Sequence, residues 1–234
     1  MSLTPESVRG NDTLSGDARR ELGPIRTRGG KPRTGFTLVE MLVVIAIILV
    51  LAAMIFPVFE VVLAKAQSTS CLSNMRNLGM GMRLYSDDYD DRIVPAMLPH
   101  PMVAGICWDI TIQPYIRNEK LVLCPGDEHP RQVHGALCLP HGYGMNLDLA
   151  QVGGYMGSSL TMGMIEDPTR TILLCELNGE RFATHGVRRA PGWQERVAIY
   201  RHGGGANYTF ADGHTRWLKP EATMDPDCLW SPQR

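Results

Sequence analysis

The sequence contains no Cys-x-x-Cys pair, although it has six cysteines, which argues against a thioredoxin-like redox centre and against a zinc ribbon. It has no Gly-x-Ser-x-Gly elbow, and no known motif places a Ser or Cys as a nucleophile. No glycine-rich loop stands before a candidate helix: Gly203-Gly204-Gly205 lies between two candidate strands, where it cannot cradle a phosphate. The acidic run Asp87, Asp88, Asp90 and Asp91 lacks the spacing and glycine of an EF-hand. The last absence is of charge. Residues 41–59 carry none, and a run of that length is enough to cross a bilayer as a helix.

What precedes that run is basic. Residues 1–35 hold seven Lys or Arg against four Asp or Glu, so the remainder holds sixteen against twenty. Lys and Arg ahead of an apolar span keep that end in the cytoplasm, which places the acidic remainder on the far side of the membrane. The basic residues stop where the span begins, so they are read as a topology signal and no nucleic-acid partner is expected. Residues 1–34 are rich in Gly, Arg, Thr and Ser, contain Pro24 and Pro32, and show no apolar period; they read as a disordered leader that is removed. An even cysteine count outside the cytoplasm predicts disulfides, without selecting their pairing.

Three readings of the span compete: a secretory signal cut near residues 50–52 or 64–66, an uncut anchor, or a cut between Gly35 and Phe36. Glu40 discriminates. A carboxylate inside the membrane costs about 2–3 kcal/mol, and an ordinary signal or anchor has no use for it. It makes sense if the new amine of a neighbouring Phe36 pairs with it. Gly35-Phe36-Thr37-Leu38-Val39-Glu40 resembles the cleavage and methylation site of type IV prepilins and type II secretion pseudopilins. The resemblance implies that a prepilin peptidase cuts after Gly35 and methylates Phe36, and that Glu40 sets register between subunits. It also makes Pro57 the helix-kinking proline common in pilins.

The helix is expected to run past Pro57, because proline kinks a helix without always ending it. Cys71, Met75, Leu78, Met82 and Tyr85 alternate at four- and three-residue steps and form one apolar stripe, read as core. Gly79 and Gly81 weaken the helix by about 1 kcal/mol each and suit close contact with a sheet. The helix is expected to end near residues 86–88. The acidic run that follows offers calcium ligands, with a solvated helix exit as the preferred reading.

From residue 92 onward Pro and Gly recur every few positions and strands look short. Residues 121–124 read as a strand stopped by Pro125; residues 171–176 are the strongest strand, rich in β-formers and buried. The loop with Cys124, His134, Cys138 and His141 offers zinc-type donors, but its spacing matches no common zinc module and a Cys124–Cys138 disulfide is preferred. Residues 197–218 read as a three-stranded meander with a hairpin turn at Asp212-Gly213. His202, nine residues, then Asp212-Gly213 resembles the C-terminal signature of a pilin-like family abundant in Planctomycetes-type and Armatimonadetes-type bacteria. The Cys71–Gly79 segment, Cys124-Pro125 and Tyr143-Gly144-Met145-Asn146 fit it too. A His202–Asp212–His214 acid–base or metal site is weighed against a structural role, and the structural role is preferred.

The expected fold is α+β and pilin-like. A cleaved leader (1–35) precedes a long helix with a membrane-spanning half (36–59) and an amphipathic half (60–88), which packs on an antiparallel β-sheet head (89–234). The expected function is a structural, non-enzymatic subunit of a type IV pilus-like or type II secretion pseudopilus fibre. Its partners are prepilin peptidase, other pilin-like subunits and the membrane, and no cofactor is required. It would sit in the inner membrane with its N-terminus cytoplasmic and its head outside, in a fibre serving secretion, adhesion or DNA uptake. The alternative is a membrane-anchored binding module for carbohydrate, with Trp193, Trp217 and Trp230 as its platform.

Overall fold

The computed structural model describes residues 35–127, 130, 135–151, 159–178, 186–187, 197, 201–224 and 228–233. Two units are distinguished, Met1–Val50 and Leu51–Arg234. The dominant element, α1, is Leu38–Asp88, with Pro57 inside it and Glu40 in its first turn. Its apolar side chains from Leu38 to Leu63 are exposed, and it is the one helix among the described residues long and apolar enough to cross a membrane.

Beyond that exposed stretch the helix becomes one-sided. Cys71, Met75, Leu78, Met82 and Tyr85, the expected stripe, are buried, together with Gly79, Gly81 and Ser86. At Asp88 the helix ends, and Asp90 (φ 52°) and Asp91 (φ 61°) turn the chain through the left-handed region, which Asp tolerates better than most residues. The Asp91 N–H then donates back to the Ser86 carbonyl at 2.9 Å. The acidic run is therefore the exposed exit of α1: Asp87 pairs with Arg83 at 3.4 Å, and Asp88 accepts from the Tyr115 hydroxyl at 2.9 Å.

The head holds a two-stranded ribbon, β1 (Met97–Leu98) with β2 (Ile106–Cys107), and a five-stranded sheet in the order β5-β3-β4-β6-β7. These strands are β3 Tyr143–Asn146, β4 Ile172–Glu176, β5 Gly186–Val187, β6 Ala206–Phe210 and β7 Thr215–Leu218. All pairings in the larger sheet are antiparallel except β3 with β5. The strand foreseen at 171–176 is β4, buried at every position. Side chains alternate along β6: the Thr209 hydroxyl donates to the Met75 carbonyl of α1, while Tyr208 and Phe210 join a second core with Ile172, Leu229 and Trp230. One face of the sheet thus carries α1 and the other the C-terminal segment.

Three expectations are corrected. Residues 121–124 are not a strand: Asn118 caps a 3-10 turn, Glu119–Val122, by accepting from the Lys120 N–H, and this local bond outcompetes extension. The apolar stretch from Trp108 forms two single-turn helices, α2 (Trp108–Thr111) and α3 (Gln113–Ile116), with Pro114 in the first turn where its missing N–H costs nothing. The meander is two-stranded, because the place beside β6 expected for 197–202 is taken by β4; residues 198–200 lie outside the described set. The disulfides are Cys71–Cys124 and Cys107–Cys138 instead of Cys124–Cys138. One side-chain and two backbone hydrogen bonds explain this pairing. Asn74 donates to the Leu123 carbonyl and holds that loop on α1, while Cys107 N–H to Leu137 and Leu137 N–H to Gly105 lay Cys138 alongside Cys107.

Candidate functional site

Two places in the chain gather residues singled out by sequence. The first is the start of α1. Gly35, Phe36 and Thr37 precede the helix in non-helical, exposed backbone, the form a protease needs for access. Thr37 and Glu40 form a reciprocal capping box: the Glu40 N–H donates to Thr37 Oγ1 at 3.2 Å, and Glu40 Oε2 accepts from the Thr37 N–H at 2.8 Å and its hydroxyl at 2.7 Å. Glu40 therefore has a partner within its own chain. Thr37 was missed from sequence, although a Thr three residues before a Glu at the head of an apolar run is the signature of such a cap.

The second is a buried polar cluster under β6. His202 Nε2 lies 2.9 Å from Glu176 Oε1, with both side chains sealed from solvent. The Asn207 N–H donates to Glu176 Oε2 at 2.8 Å and its amide Nδ2 to Oε1 at 3.0 Å. Cys124 Sγ is 3.4 Å from His202 Nε2, so the Cys71–Cys124 disulfide abuts the pair. The Trp217 indole N–H closes the outside by donating to the His202 carbonyl at 2.9 Å. A buried carboxylate persists only when its lone pairs are met, and Asn207 and His202 meet them.

The other half of the signature is at the opposite end of β6. Asp212-Gly213 forms the turn from β6 to β7, with Gly213 at φ +92°. Asp212 Oδ1 accepts from the His214 N–H at 3.1 Å and contacts His214 Nδ1 at 2.6 Å, and the His214 ring stacks on Phe210. A five-residue strand, about 17 Å long, stands between His202 and Asp212. They form no dyad: the carboxylate of His202 is Glu176, and the imidazole of Asp212 is His214. The turn lies against α1 at Gly79, where a Cβ would come within 2.6 Å of Thr209 Cγ2 and 3.2 Å of the Gly213 carbonyl. The signature thus brackets β6, with one end in the buried cluster and the other docked on the helix.

The loop donors also separate. His141 joins Asp109 at 3.1 Å, fully buried, with Leu139 N–H donating to the same carboxylate oxygen at 2.9 Å; Cys124 and Cys138 sit in different disulfides, and His134 lies outside the described residues. Among the described residues, the clusters with metal-type donors are Cys71, Cys124, Glu176 and His202, and Cys107, Asp109 and Cys138. The four cysteines in these clusters are paired as disulfides, which leaves their sulfurs without the thiolate form a metal takes.

A long apolar helix leading into small sheets defines an α+β protein of pilin-like architecture. Residues 30–56 match the family described as the prokaryotic N-terminal methylation motif, so the chain carries the mark of a prepilin peptidase substrate on a helix with the length and composition of a single-pass membrane anchor. No curated protein and no solved structure matches the chain.

Proposed function

We propose that the chain is a structural subunit of a type IV pilus-like or type II secretion pseudopilus fibre. The leader, residues 1–35, is removed by prepilin peptidase after Gly35, and the amine of Phe36 is methylated. Residues 36–59 cross the inner membrane with the N-terminus cytoplasmic. Residues 60–88 pack on a head, 89–234, outside the cytoplasm. Assembly moves apolar helix fronts from lipid into a bundle, with Glu40 opposite a neighbour's Phe36 amine and Pro57 as the kink. The carrying observation is the exposed Gly35-Phe36 junction, placed immediately before a helix whose first turn holds Glu40 and whose following residues, 41–59, are uncharged. Mass spectrometry of the mature N-terminus tests this reading. N-methyl-Phe36 is expected, and an intact leader or a cut beyond residue 50 overturns it.

A second reading, a membrane-anchored carbohydrate-binding module, has one observation in its favour. Trp217, 40% exposed, borders a groove of about 620 Å³ with Lys65, Ser68 and Thr69. Trp230 is buried and cannot serve as a platform, and Trp193 lies outside the described residues. Selective glycan binding by the full chain, lost in Trp217→Ala, would support that module over the fibre subunit.

A further inference from the structure

The cluster around His202 holds more donors than a structural ion pair requires. Cys71 from α1, Cys124 from the loop after the 3-10 turn, Glu176 from β4 and His202 from the segment before β6 each present one ligand atom. The four atoms lie within 4.8 Å of one another, and all four residues are buried. We propose that reduction of the Cys71–Cys124 disulfide converts this cluster into a zinc site with two thiolates, one imidazole and one carboxylate.

The edges among Cys124, His202 and Glu176 bracket the geometry of that ion: one falls inside its range, one just above it and one below it. Zinc bonds of about 2.0–2.3 Å imply donor–donor edges of about 3.3–3.8 Å in a tetrahedron. Cys124 Sγ to His202 Nε2 is 3.4 Å, Cys124 Sγ to Glu176 Oε1 is 3.9 Å, and His202 Nε2 to Glu176 Oε1 is 2.9 Å. The sulfur–sulfur edge, now a covalent bond, must open by more than the others must change. Cys124 is the sulfur free to give, since it sits in a loop whereas Cys71 is fixed in a helix. The carboxylate is already oriented by the two Asn207 donors, the outer-shell arrangement that positions metal ligands. Two sulfurs and an imidazole select zinc over calcium or magnesium, which take oxygen.

The chemistry balances with a dithiol as reductant. The dithiol gives two electrons and two protons to the Cys71–Cys124 bond and becomes a disulfide itself. Zinc then binds both sulfurs as thiolates and releases two protons to solvent. In either state α1 stays joined to the head, by a disulfide when oxidised and through the ion when reduced. Among the described residues, the second group gathers three donors, Cys107, Asp109 and Cys138, where the first gathers four.

The full chain in detergent micelles, reduced with a phosphine and freed of metal, is titrated with Co²⁺ as an optical probe, then with Zn²⁺ in competition. One Co²⁺ per chain with tetrahedral d–d bands and thiolate charge transfer is expected, displaced by Zn²⁺. The oxidised chain should show none of these. His202→Ala and Glu176→Gln should each weaken binding by at least about tenfold, while a Cys107→Ser, Cys138→Ser double variant should bind as the parent does. The proposal is overturned if the reduced parent chain gives no thiolate–cobalt spectrum, if the oxidised chain gives the same one, or if the Cys107, Cys138 variant alone abolishes it. The comparison of oxidised and reduced parent chain needs no variant to fold.

Discussion

Within the signature, the two ends of β6 carry unequal weight. Glu176 is fully buried and is held by His202 and by two donors of Asn207. Glu176→Leu removes the acceptor and strands those donors, the situation in which a buried polar group costs most. A loss of about 3–5 kcal/mol is expected in chemical unfolding of the full chain. Asp212 is about one-third exposed and bonds within its own turn, so Asp212→Ala should cost about 1 kcal/mol or less. Equal losses from the two variants would contradict this division. The tyrosines give a pH dependence. Desolvation, and then the hydrogen bond to Asp88, push the Tyr115 phenol up to about 12; burial first, with the charge of Glu176 contributing, also raises Tyr143 and Tyr208. An unfolded phenol titrates near about 10. The folded chain therefore holds protons that the unfolded chain releases above that value. The stability that Tyr115 contributes is complete below about pH 10 and is lost as pH rises through about 12, and that of Tyr143 and Tyr208, raised further, goes on falling beyond it. Urea midpoints should fall over that window, and tyrosinate absorbance of the folded protein should lag that of the unfolded protein.

Among the elements, α1 shows most clearly what sequence could and could not reveal. Its apolar run, its buried stripe and its end at Asp88 follow from periodicity and composition, which act locally along one helix. β4 was equally legible, as a short β-rich run buried on both faces. The strand imagined at 121–124 failed because a single Asn118 cap decides a four-residue segment more strongly than β-propensity does. The disulfide pairing and the Glu176 site were illegible for a different reason. They depend on which segments meet across the sheet, with sequence separations of 53 residues for Cys71–Cys124 and 52 for the Cys124–Glu176 contact. Gly79 lies between these cases. Its cost to the helix was visible in sequence, but its contact was not. Gly79→Ala would gain about 1 kcal/mol in an isolated helix. Here the added methyl meets Thr209 Cγ2 at 2.6 Å and a backbone carbonyl at 3.2 Å. Overpacking of that kind costs about 1–3 kcal/mol, so the net change should be a loss, measured as a lower melting temperature. A gain would mean that the turn is not docked on α1.

For the molecule as a whole, the proposed function asks one carboxylate to serve both insertion and assembly. In the single chain Glu40 is held by Thr37, so its oxygens are partnered before any neighbour arrives. That local bond lowers the cost of carrying the charge into the membrane, and insertion need not wait for a second subunit. In a fibre, by contrast, the Phe36 amine of a neighbour offers an opposite charge in a bundle from which water is excluded, where an ion pair outweighs a neutral hydroxyl. The proposed function therefore demands an exchange of partner, from Thr37 within the chain to Phe36 of the next. Glu40→Leu keeps the apolar span and removes only the exchange. Insertion and cleavage after Gly35 should continue, because an uninterrupted apolar helix inserts at least as readily. Assembly should fall, since the neighbour's amine is left buried without its counter-charge, at a cost of about 3 kcal/mol per contact, roughly a hundredfold in the subunit equilibrium. The measurement is the ratio of sheared, sedimentable fibre to mature subunit in the membrane fraction. Mature Glu40→Leu subunit that accumulates in the membrane without fibre is the expected outcome, whereas fibre at the parent level would remove Glu40 from assembly and leave it only as the cap of α1.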